Sequence, residues 1–392
     1  MVWGAQRVVV AVVAALLIGA GTAPAALGDS SPPTNATTFP ALLAVGAQHS
    51  CGILSAGSLS CWGDGANRRL GYGNTQDVAD GIGPSLSQAG PVPIDGSPTA
   101  VAAGDEHTCA LLETGSVTCW GAGAGTVPSG LAATAIAAGG SSTCAVLDSG
   151  EVDCWGQGVD AHSISLPSAA VDVGVSDAQS CAVLDDGAVD CWGTSTVASA
   201  VALDDTAQQV AVGSAYACAL LDGGDVSCWT SGAAPKTVDL TESAVDVSVG
   251  GNRACAIDVD QSVVCWTQDA EPAAVGVSAV ALAVGVDHVC TVTTANSLDC
   301  WGDGAYGKLG YGDVVSRQPN GQPLAAVSVQ SEIQRTTVTL GGTTQAAAKA
   351  AAQGIASTGS GVSRWMWLLL PVALVLGAGI YYARRHTMRV SA

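Results

Sequence analysis

Fourteen cysteines offer the clearest chemistry in this chain, because all of them fall into pairs of one spacing. Nine residues separate the two members of each pair, and a tryptophan follows each second cysteine. The pairs are Cys51 and Cys61, Cys109 and Cys119, Cys144 and Cys154, Cys181 and Cys191, Cys218 and Cys228, Cys255 and Cys265, Cys290 and Cys300. This pattern predicts seven disulfides in an oxidising compartment. It does not match the short-spaced cysteine pairs of zinc sites, so we assign no metal ligands.

The cysteine spacing predicts a β-hairpin in each repeat. If Cys109 lies opposite Cys119, then Leu111 faces Val117 and a loop of three residues ends at Gly115. Such a loop favours a left-handed residue in its third position, where glycine fits without steric cost. Asn296 and Gln261 occupy this place in the seventh and sixth repeats. Period-two spacing puts the cysteine pair and the aliphatic pair on one face of the hairpin and the tryptophan on the other.

Both faces of each hairpin are therefore apolar and must be covered. A further small, apolar strand precedes every hairpin, and successive first cysteines are 35 or 37 residues apart, with one step of 58. Hairpins stacked face to face around a ring satisfy this requirement. We predict an all-β fold, a seven-bladed β-propeller over residues 40–332, with one disulfide-stapled hairpin in each blade.

The repeat resembles the regulator of chromosome condensation repeat. The resemblance rests on Val101–Leu112 running into Val117–Gly121, and on the Gly-rich loops Trp62–Gly73 and Trp301–Gly312. It covers roughly residues 40–330 and implies a seven-bladed propeller, but it implies no particular function. The five central repeats lack the Gly-Leu-Gly loop and are similar to those of a secreted bacterial β-lactamase-inhibitory propeller.

The two ends of the chain predict export and anchoring. Residues 1–28, with Arg7 before an apolar run, are typical of a secretory signal peptide. Residues 365–382 are long enough for a membrane-spanning helix, and the basic segment 383–392 would stay in the cytoplasm. The propeller would then lie on the extracellular face of the cell.

A stalk precedes this anchor. Residues 333–364 are rich in Ala, Gly, Ser and Thr and predict a flexible linker. Residues 355–359, Ile-Ala-Ser-Thr-Gly, are similar to the sorting signal of Gram-positive wall proteins, with cleavage between Thr358 and Gly359. Two alternatives stay open: a retained membrane span, or attachment to the cell wall through Thr358.

The charge of the chain excludes nucleic acid as a partner. Without Arg7 and the four arginines from Arg364 onward, eight Lys and Arg residues stand against 33 Asp and Glu. Phosphate contacts need a basic stripe, which this composition does not provide. The acidic surface is explained by solubility. A cationic partner or bound divalent ions are the alternatives.

No catalytic motif is recognisable, and we predict no catalytic residue and no cofactor. His49, His107 and His288 lie two residues before a first cysteine, where other repeats carry Ser, Gln, Tyr or Arg. Such a degenerate repeat position indicates structural hydrogen bonding. The sequence also lacks a nucleophile elbow, a phosphate loop and a zinc helix.

These observations favour an anchored extracellular binding module, a monomeric propeller whose rim loops recognise a protein or glycan. Its long loops, which follow Trp62 and Trp301, supply the candidate ligand-binding residues Arg68, Arg69, Tyr72, Tyr306, Lys308 and Tyr311. Closure of the ring would place the two loops side by side. The alternatives are an inhibitor of an extracellular enzyme and, less favoured, a surface hydrolase that uses carboxylates from several blades.

Overall fold

The described part of the chain contains the repeats and not the two ends. A computed structural model describes residues 42–54, 57–157, 159–193, 197–295 and 297–319. The predicted signal peptide (1–28), stalk (333–364), anchor helix (365–382) and tail (383–392) lie outside the described residues. Within the described ranges, no helix is long and apolar enough to cross a membrane.

Antiparallel strands build almost all of the regular structure. The first two sheets have three strands each: β1 (Leu43–Val45), β2 (His49–Leu54) and β3 (Ser58–Gly63), then β4 (Pro98–Ala103), β5 (His107–Leu112) and β6 (Val117–Gly121). The third sheet contains β7 (Ala133–Gly139), β8 (Ser142–Leu147), β9 (Val152–Gly156) and β10 (Val159–Ile164). The fourth contains β11 (Ala170–Val175), β12 (Ser180–Leu184), β13 (Val189–Trp192) and β14 (Ser199–Val201).

The remaining strands form two further sheets. The fifth sheet contains β15 (Ala207–Val212), β16 (Ala217–Leu221), β17 (Val226–Trp229) and β18 (Lys236–Thr237). The sixth contains β19 (Ala244–Gly250), β20 (Arg253–Asp258), β21 (Ser262–Thr267), β22 (Ala270–Val284), β23 (His288–Thr293) and β24 (Leu298–Gly302). The only helical segments among the described residues are the short helix α1 (Leu86–Ala89) and two 3-10 turns, Ala66–Arg68 and Ala305–Gly307.

The predicted hairpin register is confirmed in every repeat. Each cysteine lies opposite its partner and forms a disulfide, and the aliphatic pair two residues away is also in register. The seven disulfides join Cα atoms that are 4.0 to 4.1 Å apart. This short separation marks the non-hydrogen-bonded position of an antiparallel pair, where side chains approach most closely.

The turn of each hairpin also follows the sequence. Gly115 has φ of 79°, and the glycines in the same place of the first, third, fourth and fifth repeats are left-handed as well. Gln261 keeps the same backbone, with φ of 67°, although it carries a side chain. The register of the hairpin, rather than the residue type, therefore sets this conformation.

Stacking of the repeats covers both apolar faces. The tryptophan of each repeat packs against the cysteines of the repeat before it, as Trp155 does against Cys109 and Trp192 against Cys144. The first strands of successive repeats contact one another in the closed cycle β1, β4, β7, β11, β15, β19, β22 and back to β1. The molecule is therefore an all-β propeller.

The prediction of seven separate blades was wrong. Hydrogen bonds join the strands into six sheets, because the sixth and seventh hairpins share one strand. β22 pairs with β21 over its first part and with β23 over its second part. Gly276, with φ of 75°, lies near the end of the first part, where the register with β21 shifts. The link between these hairpins stays extended, so one strand serves both.

Candidate functional site

Two loops of one sequence pattern follow the first and the last hairpin. We call residues 64–97 the first long loop and residues 303–319 the last long loop. Each begins with Asp-Gly-Ala and then forms one of the two 3-10 turns. The seventh residue after the tryptophan is basic in both loops, Arg69 in the first and Lys308 in the last.

Arg69 is buried, with only 4% of its surface exposed. Its Nε donates to the carbonyl of Ala66 (3.0 Å), and its Nη1 donates to the carbonyl of Asp105 in the next repeat (3.2 Å). The carboxylates of Asp64 and Glu106 lie 3.4 and 3.8 Å from the guanidinium. The side chain thus joins the first long loop to the second repeat.

Lys308 is fully buried. Its Nζ lies 2.7 Å from a carboxylate oxygen of Asp303 and 2.9 Å from Asp287, and it donates to Oε1 of Gln48 (2.9 Å). The hydrogen bond from Lys308 holds the pKa of Asp303 below its ordinary value. Since Gln48 belongs to the first repeat, Lys308 joins the two ends of the ring.

The main chain of these two residues completes the junctions. The carbonyl of Arg69 accepts hydrogen bonds from the indole of Trp120 (2.8 Å) and the hydroxyl of Thr108 (2.9 Å). The carbonyl of Lys308 accepts the equivalent pair, from Trp62 (2.9 Å) and Ser50 (2.9 Å). Each long loop therefore reaches the next repeat and supplies the acceptor for the indole N–H of the tryptophan there.

The sequence does not predict this role of Arg69 and Lys308, for which it suggests only ligand binding. The available signal was their common position, because an indole N–H buried in the next repeat needs an acceptor. The third repeat follows a short connection, and there the indole N–H of Trp155 is buried without a partner among the described residues.

Tyr72 and Tyr311 are half-buried and bonded to their own repeats. The hydroxyl of Tyr72 accepts from the amide of Cys61 (3.2 Å) and lies 3.1 Å from its carbonyl. The hydroxyl of Tyr311 donates to Asp299 (2.9 Å), and the guanidinium of Arg317 stacks 4.0 Å from the centre of its ring. Each tyrosine therefore holds its long loop against the outer strand of the preceding hairpin.

Arg68 and Tyr306 are the exposed members of the six predicted residues. Both have a left-handed backbone, with φ of 62° and 60°. They lie over different junctions, however. Arg68 is next to Asn67, which bonds Glu106 of the second repeat, whereas Tyr306 is next to Gly307, which lies against the first long loop. The six residues therefore do not form one continuous patch.

The two long loops do meet, as predicted, at another point. A side chain on Gly307 would collide with the carbonyl of Ala79, and one on Gly81 would lie 2.9 Å from the carbonyl of Gly312. Large apolar side chains are exposed around this contact. Ile82 is 95% exposed, and Tyr306, Val314 and Val315 are about half exposed, at 48%, 54% and 58%. We call Ile82, Tyr306, Val314 and Val315 the two-loop surface.

The three repeat histidines hold neighbouring repeats together, which confirms their predicted structural role. Nε2 of His49 shares a hydrogen bond with Thr108 of the second repeat (2.8 Å), and His107 bonds Thr143 of the third (2.8 Å). His288 bonds Ser50 across the ring closure (2.8 Å). Burial lowers the pKa of His49 to about 3 and that of His107 to about 4.

A short polar chain links the first strands of the fourth, fifth and sixth repeats. Asp172 accepts from the amide of Val210 (2.9 Å), and the Gln209 side chain donates to Asp246 (3.0 Å) and accepts from Val247 (3.2 Å). Burial raises the pKa of Asp172 and of Asp246 to about 6. These bonds join adjacent repeats and give both carboxylates a structural role.

No group of three or more His, Cys, Asp or Glu side chains in the described ranges could hold a metal ion. The predicted cleavage residues Thr358 and Gly359 lie outside those ranges.

Solved structures with this fold include two plant ectodomains and a yeast protein. The CRINKLY WD40 ectodomain of the Arabidopsis thaliana receptor kinase ACR4 is 25% identical, with a TM-score of 0.53, over 71% of this chain and 98% of that one. The ectodomain of the Physcomitrella patens receptor kinase CR4 is 20% identical, with a TM-score of 0.52, over 67% and 73%. Prp20p of Saccharomyces cerevisiae is 17% identical, with a TM-score of 0.59, over 71% and 88%.

Family models match the repeat sequence over part of the chain. No curated protein sequence matches the chain. Two models described as the regulator of chromosome condensation (RCC1) repeat match it, one over residues 56–111 and the other over residues 99–124 and 133–160. The matched ranges carry the disulfide hairpins of the second and third repeats and the whole of the first long loop. Residues 56–124 and 133–160 of this chain are therefore repeats of the regulator of chromosome condensation type.

Proposed function

We propose that the protein is an extracellular binding module without catalytic activity, and that its ligand is a protein or glycan held at the rim of the propeller. The observation that carries the proposal is the two-loop surface. Monomeric proteins seldom group large exposed apolar side chains unless these contact a partner. Here one such group lies where the first and last long loops meet.

Two further observations support this function. Seven disulfides are typical of proteins that fold in an oxidising compartment. The ACR4 ectodomain, 25% identical to this chain over 98% of its own length, is part of a receptor kinase. We extend the proposal to anchoring on the cell, through residues 365–382 or through Thr358. An inhibitor of an extracellular enzyme is a special case, in which the retained ligand would be that enzyme.

Affinity capture tests the proposal. The full-length protein is immobilised in its oxidised form and exposed to secreted and surface extracts of the source organism and its neighbours, at two salt concentrations. We expect retention of a defined protein or glycan at both salts. Ile82→Asp and Tyr306→Asp should abolish retention, because each puts a charge into an apolar contact.

Val286→Asp is the matched control, since Val286 is 51% exposed but lies outside both long loops. It should leave retention unchanged. Equal loss in all three variants would contradict recognition by the two-loop surface. Retention of basic proteins alone, released at high salt, would contradict a specific binding module and leave only a generic acidic surface.

A further inference from the structure

Among the described residues, no fourth strand pairs with the outer edge of the second repeat. In the third to sixth repeats, a further strand pairs with the outer side of each hairpin: β10, β14, β18 and β22. The sheet of the second repeat ends at β6, and no described strand lies beyond it. An exposed strand edge is a template for another strand, and proteins usually protect it.

The register identifies the free groups on β6. Because Cys119 faces Cys109 at the non-hydrogen-bonded position, the N–H and C=O groups of Val117, Cys119 and Gly121 point away from β5. No hydrogen bond to these outward groups is present among the described residues. Val117, Cys119 and Gly121 thus each offer a main-chain N–H donor and a C=O acceptor to a new strand.

The first repeat shows how the same groups are satisfied elsewhere. There the equivalent residues are Leu59, Cys61 and Gly63, and the first long loop covers all of them. Val92 donates to the carbonyl of Leu59 (2.7 Å), Tyr72 bonds Cys61, and Val78 exchanges two hydrogen bonds with Gly63. In the second repeat, the connection that follows β6 makes no hydrogen bond with these groups among the described residues.

A cleft lies directly beside this edge. A cavity of about 320 Å³ separates β6 from the first long loop, with Thr118 and Trp120 on one wall and Pro93, Ile94 and Asp95 on the other. Trp120 is half-buried, whereas the other six repeat tryptophans are buried. Its indole N–H stays fixed on the carbonyl of Arg69 (2.8 Å), so its ring is a rigid apolar surface within the cleft.

The charge around the cleft is negative. Asp95 is exposed on the wall, Glu113 is exposed at the turn before β6, and Glu106 is exposed beyond its far end. Over residues 42–319 as a whole, 31 acidic side chains stand against six basic ones, of which Arg69 and Lys308 are buried. An occupant with basic side chains is therefore favoured over a second copy of this acidic chain.

We propose that the β6 edge binds an extended segment of a partner protein, which adds a strand to the sheet of the second repeat. The segment hydrogen-bonds with Val117, Cys119 and Gly121, packs an apolar side chain beside Trp120, and places Lys or Arg next to Asp95. This mode obtains affinity from main-chain bonds and specificity from alternate side chains. The site is separate from the two-loop surface and rests on the proposed function only in treating the protein as a binding module.

The test uses a synthetic peptide of seven residues that alternates Lys and Val, acetylated and amidated at its ends. Amide hydrogen exchange of the full-length protein is followed by NMR at single residues. We expect the peptide to slow exchange at Val117, Cys119 and Gly121 by about tenfold or more, since each amide gains a hydrogen bond. The same peptide with Glu in place of Lys should leave exchange unchanged.

Four variants separate the contribution of the main-chain hydrogen bonds to peptide binding from that of the acidic charge. Val117→Pro removes an outward N–H that β5 does not use, and it should weaken peptide binding about tenfold. Val117→Thr keeps that N–H and should bind like the wild type. Asp95→Lys should weaken binding about fivefold. Asp239→Lys is the matched charge control, on an exposed residue after β18, and should have little effect.

Three results would overturn the proposal. The first is peptide binding without protection of β6. The second is equal weakening by Asp95→Lys and Asp239→Lys, which would indicate a generic charge effect. The third is protection of β6 that grows with protein concentration in the absence of peptide, because the occupant would then be a second copy. None of these results depends on Ile82 or Tyr306, so a failure here is distinct from a failure of the two-loop surface.

Discussion

Trp62 donates its indole N–H to the carbonyl of Lys308, 246 positions later in the chain, over 2.9 Å. The same carbonyl accepts from Ser50, whose hydroxyl also bonds His288. The first and last repeats are therefore joined by a continuous set of hydrogen bonds, although no strand pairing between described residues crosses this junction. The side chain of Lys308 adds its contacts with Asp287 and Gln48 to the same closure.

Replacing Lys308 should weaken the closure of the ring. Lys308→Met keeps the volume of the side chain but leaves Asp287 and Asp303 without their cation. Both carboxylates are partly exposed, so we expect a loss of about 2 kcal/mol in the free energy of unfolding, below the usual cost of breaking a fully buried pair. Denaturant titration measures this loss. Lys236→Met, at an exposed position, is the control, and an equal effect there would contradict the closure role.

The disulfides should account for much of the stability. Each closes a loop of ten residues in sequence, for which the chain-entropy model gives about 2–3 kcal/mol. We expect no alkylatable thiol in the oxidised protein, as seen by intact mass, and a sharp fall of Tm on reduction. Several reactive cysteines under native conditions would contradict the hairpin pairing, and an unchanged Tm would contradict its energetic role.

Gln261→Gly should stabilise the protein. Gln261 occupies the left-handed turn position at which other repeats have glycine, with φ of 67°. Relief of this backbone cost, less the extra entropy of glycine in the unfolded chain, predicts a gain of about 0.5–1 kcal/mol. Gln261→Ala removes the side chain but keeps the unfavourable backbone, so it should give no gain. A gain in both variants would assign the effect to the side chain instead.

Acid should destabilise the protein through its buried histidines. The pKa of His49 in the fold is about 3, because burial and the nearby Arg69 disfavour the cation, whereas the unfolded residue takes up a proton near pH 6.5. Its contribution to stability is complete above that pH and is lost as the pH falls. Between pH 6.5 and 4.5, His49→Gln should lose about 2 kcal/mol less than the wild type in denaturant titrations. Parallel curves for the two proteins would contradict this.

Asp172 should have the opposite pH dependence. Burial raises its pKa to about 6 in the fold, so the folded protein takes up this proton before the unfolded chain does. The contribution of Asp172 to stability therefore grows as the pH falls from 7 towards 4. Asp172→Asn should gain stability relative to the wild type near pH 7 and lose that advantage near pH 4. Asp239→Asn, at an exposed site, should follow the wild type throughout.

The hairpins can be predicted from the sequence, because the residues that define each hairpin are close together in the chain. Cys109 and Cys119 are ten residues apart, and the period of two along each strand puts Leu111 and Val117 on the same face as the two cysteines. The stacking of the repeats follows from the same pattern, since a hairpin that is apolar on both faces needs a neighbour on each side.

The candidate site is less predictable, because its contacts are distant in the chain. Lys308 and Gln48 are 260 positions apart, so nothing near Lys308 signals that its side chain is buried. The exposure of Ile82 depends on how the two long loops meet, and no local signal shows that the connection after β6 forms no fourth strand. Counting repeats in the sequence also does not reveal that β22 continues through Gly276 and pairs with two hairpins.

Every disulfide in this ring connects a cysteine to the next cysteine along the chain, so none crosses from one repeat to another. An oxidant that meets the polypeptide from its N-terminus can therefore make each native bond in order, as soon as the second cysteine arrives, and little shuffling by an isomerase is needed. Only the junction between Trp62 and Lys308 has to wait for the final repeat. The pairing thus allows the disulfides to form in chain order, before the ring closes.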